Sequence, residues 1–245
     1  MDNKTHDTPS NGQKFLDSYN TIDRALRVQY NFKTTISFTD LVRRCADLNH
    51  IIRQYEDDLV NLARLRNAII HNSDNARVVA EPHNSVVELI DKIARLISTP
   101  PLVVDVIHSR GAVVIANANI RLRDFVIEYS GGHGTIPVYK DTNLIGVIRW
   151  RELVFRLGTM IARGESVDAF INSLTVEEYI RNYPESGLYA VVSRAVTIEQ
   201  ILTTFDQNKK LACVLITGSG VATELPIGII TNADIMYLLN IIEKY

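Results

Sequence analysis

The chain has 245 residues, 46% hydrophobic and 22% charged, with 26 basic and 28 acidic side chains for a formal net charge of −2. This is the balance of an ordinary water-soluble protein, long enough to bury a core without staples, and it argues against broad capture of duplex DNA, where phosphate neutralisation dominates affinity. No apolar run approaches the ~20 residues that span a bilayer, and two distant cysteines, Cys45 and Cys213, argue against a disulfide framework or a cysteine-rich metal site and suit a reducing cytosol.

Residues 1–13, MDNKTHDTPSNGQ, are polar and lack the apolar centre of a signal peptide, so they read as a frayed tail. From Lys14 to Ser98 the pattern is helical. Phe15, Tyr19, Ile22, Ala25, Leu26 and Tyr30 make one stripe at three- and four-residue steps; Leu41, Cys45, Leu48, Ile51, Ile52 and Tyr55 make a second. Leu59, Leu62, Ala63, Leu65 and Ile69 follow, then Val87, Leu89, Ile90, Ile93, Leu96 and Ile97. Each stripe needs a partner face, and no glycine interrupts the run between Gly12 and Gly111. A bundle of four or five helices over 14–98 is the expectation.

Within the third stripe stands LARLRNAIIHNSDN, from Leu62 to Asn75. Arg66 and His71 differ by about 140° around a helix and do not share a face, whereas Asn67 and His71, four apart, do. One plain reading makes Arg66 a surface side chain and His71 a favourable cation at a helix C-terminus, with Asn72 or Asn75 ending the helix. Glu56-Asp57-Asp58 reads as a solvated acidic face, and His50 and His83 as surface or cap residues. No metal-ligand constellation is legible.

At Ser98-Thr-Pro-Pro101 the grammar changes. Short β-rich runs, AVVIA, TIPVY, LIGVI, LYAVV, ACVLIT and LPIGII, alternate with helical stretches. The pattern repeats. Leu144–Leu153 aligns with Pro226–Ile235 at an interval of 82, and Leu122, Phe125, Val126 and Tyr129 align with Ile198, Ile201, Leu202 and Phe205 at an interval of 76. One β-α-β-β-α unit is written twice, over 99–163 and 164–245, and each copy is too small to close a core alone. The second copy carries Gly228-Ile-Ile-Thr231-Asn-Ala-Asp234 at a strand-to-helix junction; the first has Arg149 and Glu152 in place of Thr231 and Asp234. Thr231-x-x-Asp234 has the spacing of a capping box, as do Thr175-x-x-Glu178 and Thr197-x-x-Gln200. Ser130-Gly-Gly-His-Gly-Thr135 is the other notable loop. Its backbone can approach a phosphate closely, with His133 or Thr135 as donors; alternatively, its glycines supply positive φ in a turn.

The doubled unit resembles a tandem pair of CBS domains, on TIPVYKDTNLIGVIRWREL in one copy and VLITGSGVATELPIGIITNADIMYLL in the other. That resemblance implies an adenine nucleotide (AMP, ADP, ATP or an oligoadenylate) as regulatory ligand. Asp234, with Thr231 and Gly228, would hold the two ribose hydroxyls, since one carboxylate accepts two neighbouring O–H groups. The His133–Thr135 loop, ahead of Pro137-Val138, would face the phosphate. Arg149 could meet a phosphate, but the departure at Arg149 and Glu152 puts a second nucleotide in doubt.

The helical half resembles the HEPN superfamily through Arg66-Asn67-x3-His71, an Arg-x4–6-His motif near the end of the penultimate helix. The resemblance implies a two-fold homodimer whose motif helices face one another, with metal-independent cleavage of single-stranded RNA. His71 would be the general base or acid, Arg66 would brace the charge on the phosphorane-like transition state, and Asn67 would orient His71 or a phosphate oxygen. The ends would be 2′,3′-cyclic phosphates, with no catalytic cofactor. The sequence thus predicts an α + α/β chain: an N-terminal HEPN-like bundle followed by a CBS pair, cytoplasmic, free of membrane and duplex DNA, and acting as a nucleotide-regulated endoribonuclease in stress response or phage defence. The alternative is a non-catalytic nucleotide-binding adaptor or regulatory protein whose helices only dimerise or dock a partner.

Overall fold

The computed structural model describes residues 9–71, 81–107, 111–184 and 186–245. The chain divides into two compact units. One comprises the residues up to Pro101 with Thr197–Thr203 and Asn240–Tyr245; the other comprises Leu102–Val196 and Thr204–Leu239.

The first unit is helical: α1 (Asn11–Tyr30), α2 (Phe38–Ala46), α3 (His50–Gln54), α4 (Glu56–His71) and α5 (Asn84–Ser98). The first helix opens at Asn11, inside the stretch expected to fray, because Ser10 Oγ accepts from the Gln13 amide and Glu81 accepts from the Asn11 amide. Phe15, Ile22 and Leu26 of α1 are fully buried against Leu41, Val42 and Cys45 of α2, Leu59 of α4 and Ile90 and Ile93 of α5. Burying one such side chain contributes about 1.5–3 kcal/mol, so the stripes account for the bundle.

The second stripe does not run through one helix. Asn49 caps a new one, its Oδ1 accepting from the Ile52 amide at 2.9 Å. Leu48 falls in the break and is exposed. Glu56, Asp57 and Asp58 lie in the first turn of α4, where their charge suits the helix dipole. His83 caps α5 through Nδ1. Glu199, buried, accepts from the His50 amide at 3.2 Å and the Thr203 hydroxyl at 2.8 Å.

The second unit contains the repeat. Its elements are α6 (Val103–Ile107), β1 (Ala116–Asn117), α7 (Leu122–Tyr129), β2 (Thr135–Lys140), β3 (Asn143–Arg149), α8 (Trp150–Ala162), α9 (Val167–Ser173), α10 (Val176–Asn182), β4 (Tyr189–Ser193), α11 (Ile198–Gln207), β5 (Cys213–Thr217), β6 (Gly228–Thr231), a 3-10 turn (Asn232–Asp234) and α12 (Ile235–Lys244). The ends of α11 and α12 named above belong to the first unit. Both sheets have three strands, ordered β1-β2-β3 and β4-β5-β6, with a parallel pair followed by an antiparallel one. The predicted duplication is therefore present in topology as well as sequence.

Two predicted strands are shorter than expected. AVVIA pairs only from Ala116, and LPIGII only from Gly228. The brevity of β1 has a consequence. Pro137 sits in β2, the middle strand, where a missing N–H is usually intolerable; β1 pairs with β2 only from Val138 onward, so no N–H is asked of Pro137 on that side.

Residues 167–183, placed with the second copy by sequence, pack on the first. Val176 and Tyr179 of α10 share a core with Phe125, Ile136, Val138 and Leu153. Correspondingly, α6 packs on β6. A Cβ at Gly228 would run into Ile107 Cδ1, and one at Gly146 would meet Ile180 Cγ2 at 3.2 Å. Gly146 and Gly228 are equivalent under the 82-residue interval, so each copy keeps a glycine where an isoleucine from the helix that leads into the other copy crosses its strand. Leu188, Cys213 and Leu215 meet Val147 in a further core. Among the described residues, no helix is long and apolar enough to cross a membrane, and no group of three or more His, Cys, Asp or Glu side chains is placed to hold a metal.

Candidate functional site

The string Gly228–Asp234 runs from β6 through the 3-10 turn into α12, and the local fold explains its composition. Asp234 Oδ2 accepts from the Thr231 amide at 2.7 Å and from the Thr231 hydroxyl at 3.0 Å. Thr175 and Glu178 make the same pair of bonds at 2.8 and 3.0 Å. The capping geometry is thus common to both strings and does not by itself mark a ligand site. What differs is the setting.

Thr231, Asp234 and Gly228 line a cleft of about 260 Å³ together with His133 and Thr135 from the first copy. Its other walls are Ile107, Gly111, Ala112, Val113, Val114, Ile227 and Ile229. The lining combines aliphatic side chains with a carboxylate, two hydroxyls and an imidazole. Such a surface suits a flat apolar ring with a polyhydroxylated, charged tail. The cap holds the carboxylate still before any ligand arrives, which limits the entropy lost on binding.

The glycine-rich loop contradicts one expectation. Gly131, Gly132 and Gly134 do not use positive φ; Gly111, Gly164, Gly187 and Gly220 do. A Cβ at any of the three loop glycines would meet nothing within 4 Å. Neither backbone conformation nor packing demands glycine there, and what the loop presents is bare backbone beside the cleft.

Arg149 stands apart from that cleft. It lines a cavity of about 670 Å³ with Gly134, Thr135, Lys209, Lys210, Thr231 and Asn232, among others. It also lines a smaller cleft of about 200 Å³ with Gly146, Glu152, Ile180, Tyr183 and Tyr189. That smaller cleft is the first-copy counterpart of the Thr231–Asp234 cleft, since Arg149 and Glu152 take the places of Thr231 and Asp234. Arg149 Nη2 and Glu152 Oε1 pair at 3.5 Å, so the polar end of this cleft is neutralised from within.

In the helical unit, Arg66, Asn67 and His71 all lie on α4. Arg66 is half-buried with its guanidinium over the Tyr19 ring, 5.8 Å from the centroid. Its Nη1 reaches Asn67 Oδ1 at 3.4 Å, and its buried Nε has no hydrogen-bond partner among the described residues. Burial pushes the Tyr19 phenol up to about 12, with the Arg66 charge pulling the other way. Asn67 is exposed. His71 closes the helix, and its side chain lies outside the described residues.

Several lining residues escaped sequence reasoning. Ile107 and Gly111 were given no role, and Ala112–Val114 were read only as part of a strand. The strand registers carry the signal for Lys209 and Lys210: Pro137 pairs with Val147 and Leu215 with Ile229, which sets the loops before β2 and β5 in correspondence and makes the two lysines the counterparts of Gly131 and Gly132 in the repeat.

The sequence matches no protein-family model and no curated protein. Among solved structures, the chain is similar to a protein with CBS domains from Burkholderia ambifaria MC40-6, at 13% identity over 56% of this chain and 93% of that one, with a TM-score of 0.42. It is similar to the CBS domain of a bacterial CNNM/CorC family Mg2+ transporter in complex with an inhibitor, at 16% identity over 64% and 86%, with a TM-score of 0.43. CbpB in complex with c-di-AMP gives 12% identity over 64% and 95%, with a TM-score of 0.43.

Proposed function

We propose that the repeat is a CBS pair that binds an adenine nucleotide and that occupancy of its cleft regulates the helical unit. The observation that carries this reading is convergence: of the six residues nominated through the CBS resemblance, Gly228, Thr231 and Asp234 of one copy and His133 and Thr135 of the other line one cleft, while Arg149 does not. In this reading Asp234 takes the ribose hydroxyls, Thr231 fixes the carboxylate, His133 and Thr135 face the phosphate, and Ile107, Val113 and Ile227 flank the base. The first-copy cleft, where the Arg149–Glu152 pair stands in place of Thr231 and Asp234, stays empty, which gives one such nucleotide per chain.

Two substitutions separate ligand binding from capping. Asp234→Ala and Glu178→Ala each remove the carboxylate of an equivalent cap. Titration calorimetry with AMP and ATP should show binding abolished in Asp234→Ala and retained in Glu178→Ala. Undiminished affinity in Asp234→Ala would discard the site.

A second reading concerns what is regulated. A guanidinium over the Tyr19 ring at 5.8 Å from its centroid, with a buried Nε lacking a partner among the described residues and an exposed Asn67 beside it, supports a HEPN-type endoribonuclease site of Arg66, Asn67 and His71 in a homodimer. Because Arg66 and His71 cannot share a helix face, a symmetry partner would complete the site around one phosphate. A nucleotide that favours one dimer arrangement by a few kcal/mol would switch most of the population. RNA degradation in EDTA that is lost in Arg66→Ala and His71→Ala is the test; equal behaviour of wild type and variants, with and without nucleotide, leaves a non-catalytic adaptor.

A further inference from the structure

We propose that α12 carries occupancy of the nucleotide cleft to the helical unit and delivers it to α5, so that the second copy of the repeat, rather than the first, is the one coupled to what is regulated. This rests on the nucleotide reading of the cleft and names the route its regulation takes. The two copies are built with the same pair of helices: α7 matches α11 and α8 matches α12, at intervals of 76 and 82. Both helices of the first copy lie wholly inside the second unit, whereas α11 begins in the first unit and α12 ends there. The copy with the Thr231–Asp234 string is therefore the copy whose helices are shared.

The ends of the matching helices differ in the same sense. α8 closes on its own backbone: the Arg163 amide donates to the Thr159 and Met160 carbonyls at 3.2 and 3.1 Å, and Gly164 supplies the positive φ that ends a helix. α12 gives its end to α5 instead. Lys92 Nζ donates to the carbonyl of Glu243, one of the last four that a helix leaves unsatisfied, and its charge suits the negative end of the helix dipole. The Tyr245 hydroxyl donates at 2.7 Å to the carbonyl of Thr99, the residue that caps α5. All four of these residues belong to the first unit. Leu238 and Ile242, four apart on one face of α12, are both buried, and one is assigned to each unit. α12 is also stiff. It begins at the residue after Asp234 and runs 10 residues without glycine or proline, about 15 Å of helix. Fixed at its start by the Thr231–Asp234 cap and at its end by Lys92 and Tyr245, it shifts as one piece. A ligand that draws on Asp234 changes the free energy of both tethers, and by linkage the tethers change the affinity for the ligand.

The experiment is hydrogen–deuterium exchange by mass spectrometry on the full chain, with and without saturating AMP or ATP, in wild type and in Lys92→Met/Tyr245→Phe. α4, named in none of these bonds, is the internal reference that removes the general protection any bound ligand gives. In wild type, nucleotide should slow exchange in residues 84–98 by about fivefold or more beyond its effect on α4. That excess should vanish in the double variant, although calorimetry still shows nucleotide bound. Tyr245→Phe alone, which removes one hydroxyl from a side chain 40% exposed, should lose part of the excess. Nucleotide binding with no excess at 84–98, or an excess that survives in the double variant, would overturn the relay while leaving the nucleotide cleft standing. If neither nucleotide binds, the nucleotide reading falls and the ligand-free chain decides the relay. Asp234→Ala and Glu178→Ala lose equivalent caps, so faster exchange at 84–98 in the first alone upholds the relay, and equal exchange in the two overturns it.

Discussion

Replacing Gly228 by alanine tests how the repeat is locked and how its cleft is shaped. The added methyl would run into Ile107 Cδ1, with Ile107 Cγ1 at 3.5 Å and Ile216 Cδ1 at 3.4 Å. Ile107 is 7% exposed, so its terminal methyl has little space into which to rotate. Overpacking of this kind costs about 1–3 kcal/mol. Gly228 does not use positive φ, so alanine regains roughly 0.4–1 kcal/mol by restricting the unfolded chain. The net loss should be about 1–2 kcal/mol. Ile107→Val removes the offending methyl at a cost of about 0.5–1.5 kcal/mol on its own. In the double variant the two losses should not add, because the clash is gone, and a coupling near 1 kcal/mol is expected. Urea unfolding followed by the fluorescence of Trp150, the single tryptophan, reads these differences. Ile107 also lines the nucleotide cleft, so Gly228→Ala should weaken AMP binding. A Gly228→Ala protein as stable as wild type, or one that Ile107→Val fails to rescue, would refute the packing account of this glycine.

Further outcomes follow from other sites. Burial raises the Glu199 carboxyl above its ordinary value, with the Thr203 and His50 hydrogen bonds opposing. Its contribution is therefore complete below the ordinary carboxylate value and is lost as pH rises through the raised folded value. Glu199→Gln should stabilise the helical unit at pH 7 and flatten its stability profile above the carboxylate range, read by circular dichroism; a lower stability at pH 7 contradicts this. Gly131→Ala and Gly132→Ala should leave thermal stability unchanged, given their ordinary φ and open surroundings, whereas a clear fall in Tm would mean the turn needs glycine. If the helical unit cleaves RNA as proposed, the loss of cleavage in Arg66→Ala should be only partly rescued by Arg66→Lys, because an ammonium cannot reproduce the guanidinium fork; full rescue would argue for a simple point charge.

Sequence reasoning succeeded where one face of an element is buried. Phe15, Ile22, Leu41, Ile90 and Ile93 recur at helical steps, and all are fully buried. The duplication was visible because both copies bury equivalent positions, but the packing reason for Gly146 and Gly228 was not. That cause is an isoleucine supplied by a helix far away in sequence, which local pattern cannot reveal. The join between α2 and α3 was missed because Leu41–Tyr55 keeps helical spacing across it, although Asn49 was a legible cap. The cleft was half legible. Its polar end came from residues with distinctive chemistry, while its apolar walls came from ordinary aliphatic residues at 107–114, whose role depends on β1 being too short to pair them. Lys209 and Lys210 belong to no motif in the sequence, and only the strand registers set them in correspondence with Gly131 and Gly132 of the glycine-rich loop.

The measurement that bears most directly on the central claim is the stoichiometry and affinity of ATP binding to the full chain by titration calorimetry, with Asp234→Ala alongside. The account predicts one nucleotide per chain in wild type and none in Asp234→Ala. Two nucleotides per chain, no binding at all, or a variant that binds as well as wild type would contradict it.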